Sequence, residues 1–241
     1  ENIRKPQDAK MGGYEAGKGY SIIPEDPGTV LDFEKVMRAV GEALENLAES
    51  LDLTEGGFYS DAAVKSTDSA LNRMLRTANR YAGAEITYLW NGETEVIDGS
   101  LISTWISFEE NKVSLDEEAV REYVNGLAKK HDTFGREREF TATDGTLHLL
   151  KGSYGWWTNR AGETEALLDS IKKGEKLEKE PLYFFRGYAE GKAGEDIGDS
   201  YVEIDLGKQH LYLYIDGKMI LESDFVSGSL ARGHATPPGV F

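Results

Sequence analysis

Residues 201–241 read YVEIDLGKQHLYLYIDGKMILESDFVSGSLARGHATPPGVF, and most of this stretch alternates between apolar and polar side chains. Val202, Ile204 and Leu206 share one face, as in a half-buried strand. A second alternating segment, 209–215, and a third strand, 218–227, follow, and the Asp-Gly pair between them, at 216–217, suits a type I′ hairpin turn. The stretch therefore predicts a three-stranded antiparallel meander with one half-buried apolar face.

The composition is that of a globular, acidic chain. It has 27 Lys and Arg against 43 Asp and Glu, a formal net charge of −16. Such a charge argues against binding to nucleic acid or to anionic membrane surfaces, and its ordinary effect is solubility. The absence of cysteine excludes a disulfide scaffold and a thiolate metal site. No segment reaches the ~18 apolar residues of a membrane helix, and the first residues lack the pattern of a signal peptide.

Helix signals recur upstream of the opening stretch. Apolar residues are spaced three and four apart, and each run follows a residue that can cap a helix. The predicted caps are Asp32, Thr67 or Ser66, Ser100 (for a short helix over 101–106), Asp116 and Asn159. The apolar stripe of the first helix, from Phe33 to Leu51, is predicted to face a core.

Hairpin signals lie between these helices, at Asn91-Gly92 and Asp144-Gly145. Together the patterns predict an α+β fold, with a mixed domain of helices and antiparallel hairpins followed by the first β-strands of an all-β domain. We expect the following division: a linker or truncated start at 1–19, the mixed domain at 20–190 (with related halves at about 20–98 and 99–186), a Gly-rich acidic linker at 191–200, and the final strands at 201–241.

The final strands resemble the beginning of the catalytic domain of the L,D-transpeptidases, cysteine enzymes that cross-link peptidoglycan. The resemblance covers YVEIDLGKQHLYLYIDGKMILESDFVSG and HATPPGVF. It implies that the family's Thr-Pro-x-Gly segment, which supports the active-site cleft, is Thr236, Pro237, Pro238 and Gly239. The family's nucleophile is the Cys of a Ser-His-Gly-Cys motif, with a histidine partner, well downstream of such strands. No catalytic residue carries over, because this chain contains no cysteine.

A second resemblance covers about residues 20–190. The segments IIPEDPG, ITYLWNGETEVIDGSLISTWI, LDEEAVREYVNGLAKKHDT and SYGWWTN are similar, in this order, to the peptidoglycan-binding domain that precedes the catalytic domain in many Gram-positive L,D-transpeptidases. The resemblance implies peptidoglycan as the partner and an extracellular location at the cell wall. It also implies a parent protein with an N-terminal membrane anchor, outside this sequence, and a catalytic region that is missing from this sequence.

Two functions are compatible with these resemblances. The chain is expected to be the non-catalytic, wall-side portion of an enzyme that forms 3→3 peptidoglycan cross-links through a cysteine acyl-enzyme. The alternative is a structural spacer or interaction module on the cell surface with no affinity for peptidoglycan. A carboxylate-based hydrolase is a third and weaker hypothesis.

Aromatic residues are concentrated in GSYGWWTN, at 152–159. Tyr154, Trp156 and Trp157 are candidate contacts for glycan or stem peptide, although large aromatic residues more often belong to a core. The two adjacent tryptophans point to opposite sides of an extended segment, so at most one of them lies in a given core. Trp105, within a helical stripe, is predicted to be a core residue.

Other polar residues lack the spacing of a catalytic or metal site. The histidines form no H-x-H or H-E-x-x-H pattern, and no metal or cofactor is predicted. The acidic pairs, Asp196 with Asp199 among them, are interpreted as solvated surface, because a glycosidase needs an acid in an apolar cleft. No serine-nucleophile motif is present. The four histidines are His131, His148, His210 and His234.

Overall fold

The computed structural model describes residues 3–53 and 57–241. Its described residues fall into two compact units: the chain up to Ala84 together with Asp98–Leu115, and Glu85–Ile97 together with Asp116–Phe241. Both units combine helices with small sheets, which confirms the α+β prediction. The division into sequence domains stays a prediction.

The helices are α1 (Phe33–Glu45), α2 (Ser69–Ala82), α3 (Gly99–Ile102), α4 (Glu117–His131) and α5 (Arg160–Lys173). The strands are β1 (Lys10–Met11), β2 (Ile22–Ile23), β3 (Glu85–Trp90), β4 (Glu93–Ile97), β5 (Ile106–Glu109), β6 (Lys112–Leu115), β7 (Arg138–Thr141), β8 (Leu147–Leu150), β9 (Trp157–Thr158), β10 (Lys176–Lys179), β11 (Tyr183–Phe185), β12 (Tyr201–Asp205), β13 (His210–Ile215) and β14 (Lys218–Asp224). In the described part of the chain, none of the helices combines the length and apolarity needed to cross a bilayer.

In the first unit, β1 pairs antiparallel with β2. The segment 1–19, expected to be a linker or a truncated start, therefore contains a strand, while its residues 1 and 2 lie outside the described residues. The side chain of Asn79 in α2 holds the chain next to β2. Its amide oxygen accepts from the N–H of Tyr20 (2.7 Å), and its amide nitrogen donates to the carbonyl oxygen of Tyr20 (3.0 Å). Tyr20 is buried against Ala78 and Ala82 of the same helix.

Helix α1 begins after Asp32, as predicted, and this carboxylate accepts a hydrogen bond from the N–H of Lys35 at 3.2 Å. None of its residues is buried. Phe33 and Leu44 are 74% and 71% exposed. The prediction that its apolar stripe faces a core is wrong for the described residues, because the pattern shows which side of a helix can be buried but not that a partner covers it.

Two predicted helix caps are also corrected. The cap of α2 is Asp68, which accepts from the N–H of Leu71 at 2.9 Å, and not Ser66 or Thr67. The cap of α3 is Asp98 and not Ser100, whose N–H donates to that carboxylate at 3.0 Å. Helix α3 is short because a 3₁₀ turn follows it and Ile106 already belongs to the hairpin β5–β6. Trp105 is 5% exposed, which confirms it as a core residue.

The core of the second unit includes a three-stranded sheet in the order β10-β3-β4, which contacts α4 through Trp90 and His131 and α5 through Tyr88 and Glu163. Strand β10, which the sequence patterns missed, runs parallel to β3, and β4 returns antiparallel from the Asn91-Gly92 turn. The predicted caps Asp116 and Asn159 are both present. The buried sheet residues are Ile86, Tyr88, Trp90 and Ile97, and the buried helix residues include Val120, Val124, Leu127, Leu167 and Ile171.

The last sheet has the order β12-β13-β14, which confirms the meander predicted for this stretch. Its apolar face, however, is open among the described residues, with Val202 and Ile204 52% and 47% exposed. The opposite face is the one in contact with other residues: Glu203 accepts hydrogen bonds from the N–H (3.1 Å) and hydroxyl (2.7 Å) of Thr143 in the β7–β8 hairpin. The predicted half-buried apolar face is therefore wrong here, because the β7–β8 hairpin covers the opposite face, through Glu203 and through the ring of Tyr201, which packs edge-on against Phe140 at 5.4 Å.

Candidate functional site

Four aromatic side chains of the second unit form one surface, here called the aromatic platform: Phe134, Trp157, Phe184 and Phe185. The rings of Trp157 and Phe185 are nearly parallel, with centroids 5.9 Å apart and an interplanar angle of 7°. Phe134 stacks on both, at 4.7 Å from Trp157 and 5.5 Å from Phe185. Trp157, Phe184 and Phe185 are 37%, 57% and 54% exposed, so the platform faces solvent.

Backbone pairing brings these residues together. Strands β9 and β11 are antiparallel, and Phe185 lies opposite Trp157 in the ladder. The N–H of Phe134 donates to the carbonyl oxygen of Trp156 at 3.0 Å, which holds the third ring beside the other two. As predicted for an extended segment, the adjacent tryptophans differ in burial: Trp156 is 7% exposed.

Of the three aromatic residues predicted as contacts, only Trp157 lies on the platform. The indole N–H of Trp156 donates to the carbonyl oxygen of Ala189 at 2.8 Å. The hydroxyl of Tyr154 donates to the carbonyl oxygen of Asp196 (2.8 Å) and accepts from the N–H of Tyr188 (2.7 Å). Both side chains thus fasten the segment after β11. Sequence reasoning missed the other platform residues, although two adjacent phenylalanines in a short strand were a usable signal.

A buried carboxylate anchors the strand that carries the platform. Glu163 of α5 is fully buried. It accepts hydrogen bonds from the hydroxyl of Tyr88, from Nζ of Lys179 (2.8 Å) and from the N–H of Leu182 (2.7 Å). Burial, and then the neighbouring charge of Glu163, raises the pKa of Tyr88 well above its usual range. Leu182 directly precedes β11, so this network fixes the position of Phe184 and Phe185.

A second buried carboxylate belongs to the segment predicted to be a linker. Asp196 and Arg138 are both fully buried, and the Arg138 guanidinium donates to Asp196 through Nη2 (2.6 Å) and Nε (3.0 Å). Burial by itself raises the pKa of Asp196, but hydrogen bonds from Arg138, Thr133 and the N–H of Gly194 outweigh it, and the pKa is lowered. The interpretation of Asp196 as solvated surface is therefore wrong, because an internal cation compensates its burial.

A polar cleft of about 350 Å³ lies in the same unit as the platform. It is lined by the β3–β4 turn, the end of α4, and residues of 133–136 and 190–195. At its edge, single ligand atoms of Glu93, Glu95 and His131 lie within 4.8 Å of one another, close enough to share a metal ion. The ammonium group of Lys130 lies 2.6 Å from Glu95 and 3.2 Å from Glu93. We interpret this cluster as an ion-pair network, because the lysine already supplies the positive charge that the carboxylates require.

The Thr236–Gly239 segment is held by close backbone packing. The hydroxyl of Thr236 accepts from the N–H of Gly228 at 3.0 Å. A Cβ atom on Gly239, whose φ is 144°, would lie 2.4 Å from the carbonyl oxygen of Lys151, so only glycine fits this approach. Support of an active-site cleft by Thr236, Pro237, Pro238 and Gly239 stays a prediction.

The other histidines are not brought together. His148 and His234 are exposed, and His210 pairs with Asp224, with Nδ1 and Oδ1 2.8 Å apart. His131 is buried, and its ring stacks on Trp90 at 5.6 Å.

Residues 64–179 match the family model described as "Putative peptidoglycan binding domain". Two solved structures are similar to the chain. One is the Ldtfm-avibactam carbamoyl enzyme, with 36% identity and a TM-score of 0.51 over 70% of this chain and 65% of that one. The other is a cysteine-to-serine mutant of the Enterococcus faecium L,D-transpeptidase, with 36% identity and a TM-score of 0.50 over 69% of this chain and 66% of that one. The comparison with curated proteins gave no match.

These similarities identify a protein related to the cell-wall transpeptidases. Residues 64–179 match the peptidoglycan-binding domain model, and the chain is similar to L,D-transpeptidases over 70% and 69% of its length. It spans 65% and 66% of the length of the two solved chains. The platform residues Phe134 and Trp157 lie within the matched domain, whereas Phe184 and Phe185 follow it directly.

Proposed function

We propose that this chain is the wall-binding portion of an L,D-transpeptidase and that the aromatic platform contacts the glycan strands of peptidoglycan. The family match over residues 64–179 supports peptidoglycan as the partner. The platform supports a sugar as the contacted part, because the apolar C–H face of a sugar ring packs well on an exposed aromatic face.

The near-parallel arrangement of Trp157 and Phe185 carries this proposal. Single exposed aromatic residues are common on protein surfaces and need no explanation, whereas contiguous exposed apolar patches mark interaction sites. Here the rings lie within 7° of one another, and Phe134 extends the same stack at 18° to Phe185. Rings that already pack against one another lose little conformational entropy when they bind a sugar.

We also propose where the parent protein lies and which reaction it catalyses. The parent protein is extracellular, lies at the wall of a Gram-positive-type bacterium, and is anchored by an N-terminal membrane helix. It forms 3→3 cross-links in two steps: a cysteine thiolate attacks the L,D peptide bond of a tetrapeptide stem and the terminal residue leaves as the free amine, and the acyl group then passes to an acceptor amine. Because this sequence contains no cysteine, we assign it to substrate binding and not to the thiolate chemistry.

The test is sedimentation of the purified chain with peptidoglycan sacculi, with the bound fraction measured over a range of sacculus concentrations. We expect Trp157→Ala and Phe185→Ala to weaken binding about tenfold or more, which corresponds to about 1.4 kcal/mol. Trp157→Phe keeps an aromatic face and is expected to retain most of the binding. The matched control is Phe33→Ala, which removes an aromatic residue that is 74% exposed on α1, outside the platform.

The first outcome separates the two hypothesised functions, and the second locates the binding surface. Failure of the unmodified chain to sediment with sacculi would support the spacer hypothesis and contradict the proposal. Equal binding by the unmodified chain and Trp157→Ala would show that the binding surface lies outside the platform. Far-ultraviolet circular dichroism on each variant checks that a loss of binding does not come from unfolding.

A further inference from the structure

One continuous stretch, residues 133–158, leaves the aromatic platform and returns to it. Phe134 lies near the beginning of the stretch and Trp157 near its end, and the centroids of their rings are 4.7 Å apart. Between these two residues the stretch forms the hairpin β7–β8. Any part of the chain that the hairpin contacts is therefore joined to the platform through both limbs of the hairpin.

The base of the hairpin is fixed by buried polar contacts. The N–H of Gly135 donates to the carbonyl oxygen of Tyr154 at 3.1 Å, which joins the two limbs. The fully buried guanidinium of Arg138 donates through Nη2 to the carbonyl oxygens of Thr133 (3.0 Å) and Tyr154 (3.1 Å). A shift of either limb would leave a buried cation with fewer partners, which is costly, so the base holds its position relative to the platform.

The tip of the hairpin contacts the sheet β12-β13-β14. The N–H and hydroxyl of Thr143 both donate to the carboxylate of Glu203 in β12, and the same hydroxyl lies 2.8 Å from the hydroxyl of Tyr214 in β13. The next residue, Asp144, pairs at 2.6 Å with Lys208, which lies between these two strands. The tip therefore holds two adjacent strands and the turn that connects them.

A second contact lies at the other end of the hairpin, just after β8. A Cβ atom on Gly152 would overlap the backbone of Val240, because it would lie 2.6 Å from the nitrogen and closer still to the carbonyl oxygen. Gly239 approaches the carbonyl oxygen of Lys151 in the same way. Two glycines facing each other's backbone make this approach possible, because neither carries a side chain. This contact directly adjoins the segment of residues 236–239.

We propose that the β7–β8 hairpin is a two-point clamp that fixes residues 236–239 at a constant distance from the aromatic platform. One contact point is the tip on β12 and β13, and the other is Gly152 on Val240. A single contact acts as a pivot, whereas two separated contacts also prevent rotation. The consequence rests on the proposed function: a glycan strand on the platform is then held at a set distance from the segment predicted to support the active-site cleft.

The test uses the absence of cysteine in this chain, because two introduced cysteines then carry spin labels at known positions. The labelled positions are Asp169→Cys on α5 and Glu222→Cys on β14, whose native side chains are 59% and 60% exposed. Double electron–electron resonance measures the distribution of distances between the two labels. We expect one narrow distribution, because the clamp holds the sheet in a single position relative to α5.

Two variants of the labelled chain each release one contact point. Gly152→Ala adds a methyl group that displaces the backbone of Val240, and Thr143→Val combined with Lys208→Ala removes the hydroxyl bonds and the ion pair at the tip. We expect each variant to widen the distance distribution about twofold, since the remaining contact becomes a pivot. Gly126→Ala is the matched control: it adds the same methyl group on α4, where no other atom lies within 4 Å, and is expected to leave the distribution unchanged.

The outcomes distinguish this inference from the proposed function. A broad distribution for the labelled chain, or a narrow one that persists when both contact points are altered together, would overturn the clamp. If that chain still sediments with sacculi through Trp157, the glycan platform stands without the clamp. If the distribution is narrow and both variants widen it while the chain does not sediment, the clamp stands and the proposed function fails. Far-ultraviolet circular dichroism checks that each variant is folded, and the tip variant tests the clamp if Gly152→Ala is not.

Discussion

The second unit contains two three-stranded sheets with similar sequence patterns and opposite environments. In the sheet β10-β3-β4, Ile86, Tyr88 and Ile97 are fully buried, and the hydroxyl of Tyr88 donates to Glu163 of α5. In the sheet β12-β13-β14, Val202 and Ile204 remain about half exposed, and the opposite face makes the contacts, through Glu203 and Tyr201. The comparison teaches that alternation determines the two faces of a sheet, whereas packing partners elsewhere in the chain determine which face is covered.

The largest expected effect concerns the buried ion pair before the second sheet. Replacing Arg138 with Ala leaves Asp196 buried without its cation, and we expect the free energy of unfolding to fall by about 3–5 kcal/mol. Chemical denaturation followed by tryptophan fluorescence measures the change. Arg121→Ala, which removes the exposed pair with Glu118 (56% and 63% exposed), is the control and is expected to cost less than about 1 kcal/mol. A loss below about 1 kcal/mol for Arg138→Ala would show that the pair does not hold this segment.

The next largest expected effect is a difference in unfolding free energy between matched substitutions in the two sheets. Ile86→Ala removes a fully buried side chain from the first sheet, so we expect a loss of about 2–5 kcal/mol in the free energy of unfolding. Ile204→Ala removes a side chain that is 47% exposed, and we expect less than about 1 kcal/mol. Both are measured by denaturant unfolding at the same pH. Equal losses would break the comparison, because they would mean that a partner covers the apolar face of the second sheet in solution.

The smallest expected effect is a change in the pKa of Asp144, whose hairpin contacts the covered face of the sheet β12-β13-β14. Lys208, which follows β12, lies 2.6 Å from Asp144 in the turn of the β7–β8 hairpin. The hydrogen bond from Lys208 lowers the pKa of Asp144 well below its usual range. A lowered folded-state pKa gives stabilisation that is complete above the unfolded value of about 4 and is lost as the pH falls below it. Lys208→Ala is therefore expected to raise the Asp144 pKa, measured by NMR titration of its carboxyl group. An unchanged pKa would mean that the hairpin does not contact the second sheet.

Much of the local structure followed from single residues. Asp116 and Asn159 begin α4 and α5 because their side chains accept from exposed N–H groups of the first turn. Asn91-Gly92 and Asp216-Gly217 adopt positive φ at both positions, as these turns require. Strand β10 was missed because it pairs parallel to β3 across 85 intervening residues, and no local pattern encodes such a pairing.

The candidate site was only partly predictable. The segment 152–159 drew attention to Trp157, and the alternation of an extended chain explained why Trp156 and Trp157 differ. The platform needs Phe134 and Phe185 from other segments, and only the β9–β11 pairing brings them to the same surface. The cleft was not predicted, because its charged residues come from three separate segments and have no characteristic spacing.

The sequence by itself determined the α+β class, most helix caps, the tight turns, the final meander and the resemblance to the L,D-transpeptidases, since these depend on neighbouring residues or on colinear motifs. The tertiary structure alone decided which apolar faces are covered, that Glu163 and Asp196 are buried with partners, and that four aromatic rings share one surface. The physical reason is that burial and ion pairing depend on groups far apart in the chain, whose approach only the folded packing establishes.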